Sequence, residues 1–125
     1  MIHLDTSVLI DALTGPRRSA ATLRGVLDQG ERIAIDTLVL YEWLRGPRCE
    51  TELAHQEALL PAAEARPFGQ REAMLAAELY RAVPRGRQRA LDLAVAACAL
   101  ANGARLWTLN AEDFRDVPGL ALFES

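Results

Sequence analysis

The sequence predicts an α/β domain of three layers, with a mainly parallel central sheet flanked by helices. Three observations carry that expectation. Short apolar runs of strand length alternate with segments of helical period. Gly and Pro fall singly between those segments, as punctuation rather than as linkers. The chain has 125 residues, half of them apolar, which suffices for one domain over residues 1–125 with a real core and no disulfide or metal needed merely to fold.

The elements follow in order. Ile2 to Leu4 reads as a short opening strand. After Asp5, either Thr6 or Ser7 is placed to cap a helix carrying Val8, Leu9, Ala12 and Leu13, which Gly15-Pro16 ends. Ser19 to Asp28 spaces Leu23, Val26 and Leu27 along one helical face and stops at Gly30. Arg32 to Ile35 is a second strand, and Asp36-Thr37 opens a helix over Leu38 to Arg45 that Gly46-Pro47 closes. A further helix covers Glu50 to Leu60. Glu64 to Phe68 reads as a strand, with Pro67 restricting it to an edge or a short extended link.

Glu72 to Val83 repeats Met74, Leu75, Leu79 and Val83 with charges between, an amphipathic helix. Pro84 to Arg89 is a basic turn. Ala90 to Ala101 has eleven apolar residues of twelve and so reads as a helix buried on nearly all sides, ending at Asn102-Gly103. Leu106 to Leu109 is a strand, Ala111 to Arg115 a short helix, and Leu120 to Phe123 a last strand.

Composition excludes several chemistries. All 14 basic residues are arginine, which closes the lysine-dependent ones: a P-loop NTPase, a Schiff-base enzyme, a receiver domain with a partnering lysine. Cys49 and Cys98 lack the spacing of a zinc site or a redox pair, and Cys98 sits in an alanine-rich run as a small core residue. His3 and His55 are isolated, and a structural or surface role is expected of them. No apolar run approaches the ~20 residues of a membrane span, and the opening segment, which carries Asp5 and Asp11, lacks the pattern of a signal peptide. The expected location is the cytoplasm, with no membrane partner.

Four carboxylates stand where folding alone does not ask for them. Asp5 directly follows the first strand, and ligands of parallel sheets bind beyond strand C-termini; a helix-capping Asp is the alternative. Glu42 lies among Leu38, Val39, Leu40, Tyr41, Trp43 and Leu44, where an unpaired buried carboxylate costs several kcal/mol, roughly. Its alternative is an exposed stripe reaching Arg45 at i+3. Asp92 is the only charge in Ala90 to Ala101, in the first turn, where the helix dipole also favours an anion. Asp113 follows Asn110 by three residues, the spacing of a capping box. If the four converge they repel one another unless a cation joins them, and Mg²⁺ or Mn²⁺ suits an all-oxygen site. Such an ion activates water and neutralises charge on a phosphoryl group, so the chemistry expected is phosphodiester hydrolysis.

Leu4-Asp5-Thr6-Ser7-Val8-Leu9-Ile10-Asp11, the apolar helix with Glu42, Leu91-Asp92-Leu93-Ala94-Val95-Ala96-Ala97 and Thr108-Leu109-Asn110-Ala111-Glu112-Asp113-Phe114 resemble the PIN domain, in the order and spacing of its VapC-type toxins. The resemblance covers essentially the whole chain. It implies a Mg²⁺- or Mn²⁺-dependent endoribonuclease with Asp5, Glu42, Asp92 and Asp113 as catalytic metal ligands. Thr6 or Ser7, Thr108 and Asn110 match the family's supporting polar positions. It further implies an RNA substrate, a cognate VapB-like antitoxin that holds the toxin inactive, and a homodimer. A departure is Val95 with its run of alanines, where many relatives carry Ile or a polar residue.

A net charge of −3 is unusual for a protein acting on a polyanion. Its distribution offers a remedy. Arg81, Arg85, Arg87 and Arg89 immediately precede Asp92, and Arg85, Arg87 and Arg89 are the candidate RNA-binding residues, a solvated loop being the alternative. Tyr41, Trp43, Tyr80 and Trp107 are expected in core or interface packing rather than stacked on bases. Two competing functions share these residues: a carboxylate-metal DNase or phosphatase, and a non-catalytic PIN-like interaction module.

Overall fold

A computed structural model describes residues 1–124. Its sheet has three parallel strands, β1 (Ile2–Leu4), β2 (Ile33–Ala34) and β3 (Arg105–Trp107), in the order β2-β1-β3. Six α-helices accompany it: α1 (Thr6–Leu13), α2 (Ala20–Asp28), α3 (Thr37–Arg45), α4 (Glu50–Leu59), α5 (Gln70–Ala82) and α6 (Ala90–Ala101). The chain crosses from β1 to β2 on one side and from β2 past β1 to β3 on the other. Because such crossovers are right-handed, the reversal puts helices on both faces, the layering the alternation of elements predicts. The core takes in Ile2, Leu4, Val8, Leu9, Val39, Trp43, Leu93, Val95, Leu106 and Phe114, each at most 1 % exposed.

Two expected strands contract to single bridges. Within Glu64 to Phe68 only Arg66 pairs, with Asp36: its N–H donates to Ile35 O and its carbonyl accepts from Thr37 N–H. Residues Ala62–Glu64 form a 3₁₀ turn instead, and Pro67, with no N–H to donate, ends the pairing. Within Leu120 to Phe123, Leu122 alone bridges to Leu106. The last helix is likewise a single 3₁₀ turn, Ala111–Asp113.

Helix starts also differ in detail. Helix α1 begins at Thr6, so the N-cap position belongs to Asp5 rather than to Thr6 or Ser7, and the Asp5 side chain makes no capping bond. In α3, Asp36 caps as its sequence position suggests, accepting Val39 N–H at 2.8 Å. Helix α5 starts two residues earlier than expected, where Glu72 reaches back to the Gly69 N–H at 3.2 Å. Trp43 and Trp107 are buried, as core packing requires, while Tyr41 and Tyr80 are exposed. Cys98 is fully buried, and burial pushes its thiol up to about 12, which makes it inert.

Central β1 explains one residue that sequence left open. A parallel strand flanked on both edges and covered on both faces has no solvent side, so His3, between Ile2 and Leu4, is fully buried. Its Nε2–H donates to Asp36 Oδ2 at 2.6 Å, leaving Nδ1 without a partner.

Candidate metal-binding active site

The strand order reverses at β1, so the topological switch point lies between the C-terminal ends of β1 and β3. Asp5 follows the first and Thr108 the second. The Asp5 N–H extends the ladder to Trp107 O at 2.9 Å, which places the two side chains next to each other. Thr108 Oγ1 donates to Asp5 Oδ2 at 2.8 Å and Ser7 Oγ donates to the same oxygen at 3.2 Å. Each hydroxyl is itself aimed: Thr108 Oγ1 accepts from Asn110 N–H at 3.0 Å and Ser7 Oγ from Leu109 N–H at 3.1 Å. A hydroxyl whose lone pair is taken by a backbone donor turns its proton outward, here onto the carboxylate. The side chain of Asp5, only 6 % exposed, is thereby held in one orientation.

Helix α1 packs on α3, and Thr6, one residue along from Asp5, donates to Glu42 Oε1 at 2.7 Å. Glu42 is 19 % exposed, and its other oxygen lies 3.6 Å from Arg45. Both readings of Glu42 therefore hold in part: one oxygen faces inward to Thr6 and the other meets Arg45 at i+3.

Helix α6 packs on α3 and contributes Asp92 from its first turn. Burial pushes the Asp92 carboxyl up to about 6, reinforced by the negative charges of Asp5, Asp113 and Glu42 and opposed by Arg89. Asp92 thus lies within electrostatic range of the other three carboxylates. Asp113 sits exposed on the 3₁₀ turn after β3 and makes no capping-box bond with Asn110. Among the supporting positions, Thr6, Ser7 and Thr108 act through their hydroxyls, whereas Asn110 acts through its backbone, its N–H donating to Thr108 Oγ1 and its carbonyl accepting from Asp113 N–H, its side chain being exposed.

The arginine segment divides. A cleft of about 240 Å³ is lined by Arg85, Gln88, Arg89, Asp92, Glu112, Asp113 and Asp116. Arg85 takes a left-handed φ of +57°, and Gly86 beside it is obligatory, since a Cβ there would stand 2.6 Å from Tyr80 O. Arg85 and Arg87 are exposed. Arg89 is not free in the same way: it is 10 % exposed and engaged with Asp116, Asp113 O and Pro84 O.

The donor set fits a hard divalent cation in chemistry and charge. It is oxygen-only, and burial together with the charges of Asp5, Asp113 and Glu42 raises the proton affinity of Asp92. It is not a preformed cage: among the described residues, no three Asp, Glu, His or Cys side chains stand grouped closely enough to hold one ion. Mg²⁺ normally keeps several of its waters and takes only one or two carboxylates directly, so an open arrangement of this kind suits it.

A pH dependence follows. Because the folded chain binds the Asp92 proton more tightly than the unfolded chain, protonation near pH 5 stabilises the fold, and that gain is lost as pH rises through about 6. After allowance for partial exposure the gain is about 1–2 kcal/mol. Urea titrations of the metal-free protein should therefore show higher stability at pH 5 than at pH 7.5, and the difference between the two should shrink in Asp92→Asn. An identical pH profile in that variant would mean that Asp92 is not the titrating group.

The chain is similar to known proteins over most of its length. The family model described as PIN domain matches residues 2–120. Ribonuclease VapC19 of Mycobacterium tuberculosis is 34% identical over 120 residues, 94% of each chain. Among solved structures, VapBC2 from Rickettsia felis, bound to a DNA fragment from its promoter, superposes with a TM-score of 0.75 at 25% identity over 98% of both chains. A toxin-antitoxin complex from Klebsiella pneumoniae superposes with a TM-score of 0.73 at 21% identity over 100% of both, a likeness of fold. The chain belongs to the PIN-domain family, among its VapC-type members.

Proposed function

We propose that the chain is a Mg²⁺- or Mn²⁺-dependent endoribonuclease, the toxin of a VapBC-type pair, with Asp5, Glu42, Asp92 and Asp113 as its metal-binding catalytic carboxylates. The observation that supports this reading is that Asp92 lies half-buried within range of the charges of Asp5, Asp113 and Glu42, which come from three other segments, while Asp5 stands at the switch point of the parallel sheet. Repulsion of that kind destabilises the fold and is retained where a cation is to be bound. The bound ion would supply an activated water and neutralise charge on the scissile phosphate.

The chain's own residues do the rest. Thr108 and Ser7 orient the Asp5 carboxylate, and Thr6 does the same for one oxygen of Glu42. Arg85, exposed at the cleft that also contains Asp92 and Asp113, is placed to receive an RNA phosphate, with Arg87 beside it in the same loop. A net negative chain thereby presents a local cationic edge to its substrate.

A VapB-like antitoxin is the partner that the solved VapBC complexes support. The chain offers it an apolar cleft of about 370 Å³ among α1, α2 and α4, lined by Leu13, Leu23, Leu27, Ala58 and Leu59, with Arg17, Arg24 and His55 around it. A homodimer belongs to the same reading, with Tyr41 and Leu44 of α3, 58% and 50% exposed, as apolar side chains for it to cover. Among the described residues no helix is long and apolar enough to cross a membrane.

The test is incubation of purified protein with a mixed RNA pool in Mg²⁺ or Mn²⁺, beside EDTA and a DNA substrate. Discrete RNA fragments that vanish with EDTA are expected. Cleavage of DNA alone would favour the DNase reading, and tight divalent binding with no cleavage of either would favour the interaction module.

A further inference from the structure

In the sequence Arg89 stands with Arg85 and Arg87 as an RNA-binding candidate, and it is the one of the three that the fold encloses. Its Nη1 donates to Asp116 Oδ2 at 2.9 Å and to Pro84 O at 3.2 Å. Its Nη2 donates to Asp116 Oδ1 at 2.6 Å and to Asp113 O at 2.8 Å. The pairing with Asp116 is the bidentate fork that guanidinium alone can make. Three segments thus meet on one side chain: the loop from Pro84, the start of α6, and the turn bearing Asp113.

The position of Arg89 gives this a consequence. It occupies the N-cap of α6, three residues before Asp92, and bonds the carbonyl of Asp113 itself. Within the turn Asp113 N–H bonds Asn110 O at 2.9 Å and Arg115 bridges Glu112 and Glu124; among the described residues, the side chain that ties this exposed turn to the start of α6 is Arg89. Phe114 and Val117, 1% and 4% exposed, root the turn in the core but leave its outer edge to Arg89.

We propose that Arg89 is a positioning residue of the acidic site, which holds the Asp113 turn against the first turn of α6 and so sets the opening between the Asp92 and Asp113 carboxylates. It acts through the backbone of Asp113 and through Asp116, not by contact with RNA. The role of phosphate contact is left to Arg85 and Arg87. The inference rests on the metal-dependent reading above, since the opening matters because an ion and its waters are to fill it.

The experiment measures Mn²⁺ binding by calorimetry, kcat and KM for RNA cleavage, and the salt dependence of RNA binding in EDTA. The proteins are wild type, Arg89→Met, Arg89→Lys, Asp116→Asn, the Arg89→Met/Asp116→Asn double variant and Arg85→Ala. Partners one step removed from a metal cost roughly 10–100-fold in affinity or activity when changed, and Arg89→Met should lose that much Mn²⁺ affinity. The loss should appear in kcat with KM nearly unchanged. Arg89→Lys and Asp116→Asn, which keep part of the clamp, should fall between, and Asp116→Asn should add little to Arg89→Met.

The salt slope separates positioning from RNA binding. Arg85→Ala should flatten it by roughly 0.7 for each phosphate that is no longer neutralised, the single-strand value, and Arg89→Met should leave it unchanged. Wild-type Mn²⁺ affinity in Arg89→Met and Arg89→Lys, or a salt slope that falls as in Arg85→Ala, overturns the proposal while the metal-dependent reading stands. A wild-type protein that neither binds Mn²⁺ nor cuts RNA overturns that reading and this proposal with it.

Discussion

Asp92→Asn should reduce RNA cleavage by at least on the order of 10²–10³-fold while making the metal-free protein more stable at pH 7.5. The two effects share one cause. Asp92 sits half-buried at the start of α6, among the charges of Asp5, Asp113 and Glu42, with only Arg89 opposing them. Replacing its carboxylate by an amide of the same shape removes the cost of burying a charge there and, with it, that repulsion, together worth about 1–2 kcal/mol after solvent screening, and removes the anion an ion needs. Saturating Mg²⁺ should narrow the stability difference, since the ion relieves in wild type the repulsion that the substitution abolishes.

Asp5→Asn is expected to match that loss of activity without the gain in stability. Thr108 and Ser7 both donate to Asp5, and an amide oxygen accepts those protons less strongly than a carboxylate. Cleavage within threefold or so of wild type in Asp92→Asn, at unchanged fold, would remove Asp92 from the catalytic set. Lower stability at pH 7.5 would show that its charge is compensated by groups other than those named.

How much of this was legible in sequence depended on the range of the interaction. Asp5 was readable because a topological rule acts on it, ligands of parallel sheets binding beyond strand C-termini; Thr108, inside the expected strand Leu106 to Leu109, entered only through the family resemblance, and it meets Asp5 because β3 ends at Trp107. Glu42 and Asp92 were readable because each interrupts an apolar helix. Asp113 was legible through its resemblance to the family, and the local reason offered for it, a capping box with Asn110, does not form. The strand at Glu64 to Phe68 dissolved into one bridge because Pro67 blocks the ladder, a limit that the sequence did contain.

Arg89 shows what local reading misses. By spacing it belongs with Arg85 and Arg87 as a solvated cation. Its carboxylate partner, Asp116, stands 27 residues on, and nothing in the periodicity of either segment announces the pairing. His3 was hidden for the same reason, with Asp36 33 residues away. One signal did point to it: an opening strand that goes on to occupy the centre of a doubly wound sheet has both faces covered, so any polar residue there needs a buried partner.

That buried pair yields the largest stability effect expected of a single polar substitution. Asp36 is inaccessible to solvent and serves two elements at once: Oδ1 accepts Val39 N–H at the start of α3, and Oδ2 accepts from His3 on β1. Asp36→Ala removes a helix cap, about 1 kcal/mol, and strands the His3 N–H in a core with no other acceptor, about 1–3 kcal/mol. The expected loss is therefore about 2–4 kcal/mol, read as a lower urea midpoint at unchanged slope. Asp36→Asn should lose less, because its amide oxygen can still cap Val39 while its NH₂ group faces a His3 Nε2 that has changed tautomer. The remaining cost is the displaced proton on Nδ1, which has no acceptor. An Asp36→Ala loss within ~0.5 kcal/mol of wild type, the scale of an ordinary surface change, would mean that His3 finds another partner and that α3 is held to β1 by packing alone. The ordering wild type, Asn, Ala is what separates a bond that ties the strand of Asp5 to the helix of Glu42 from one that merely fills space between them.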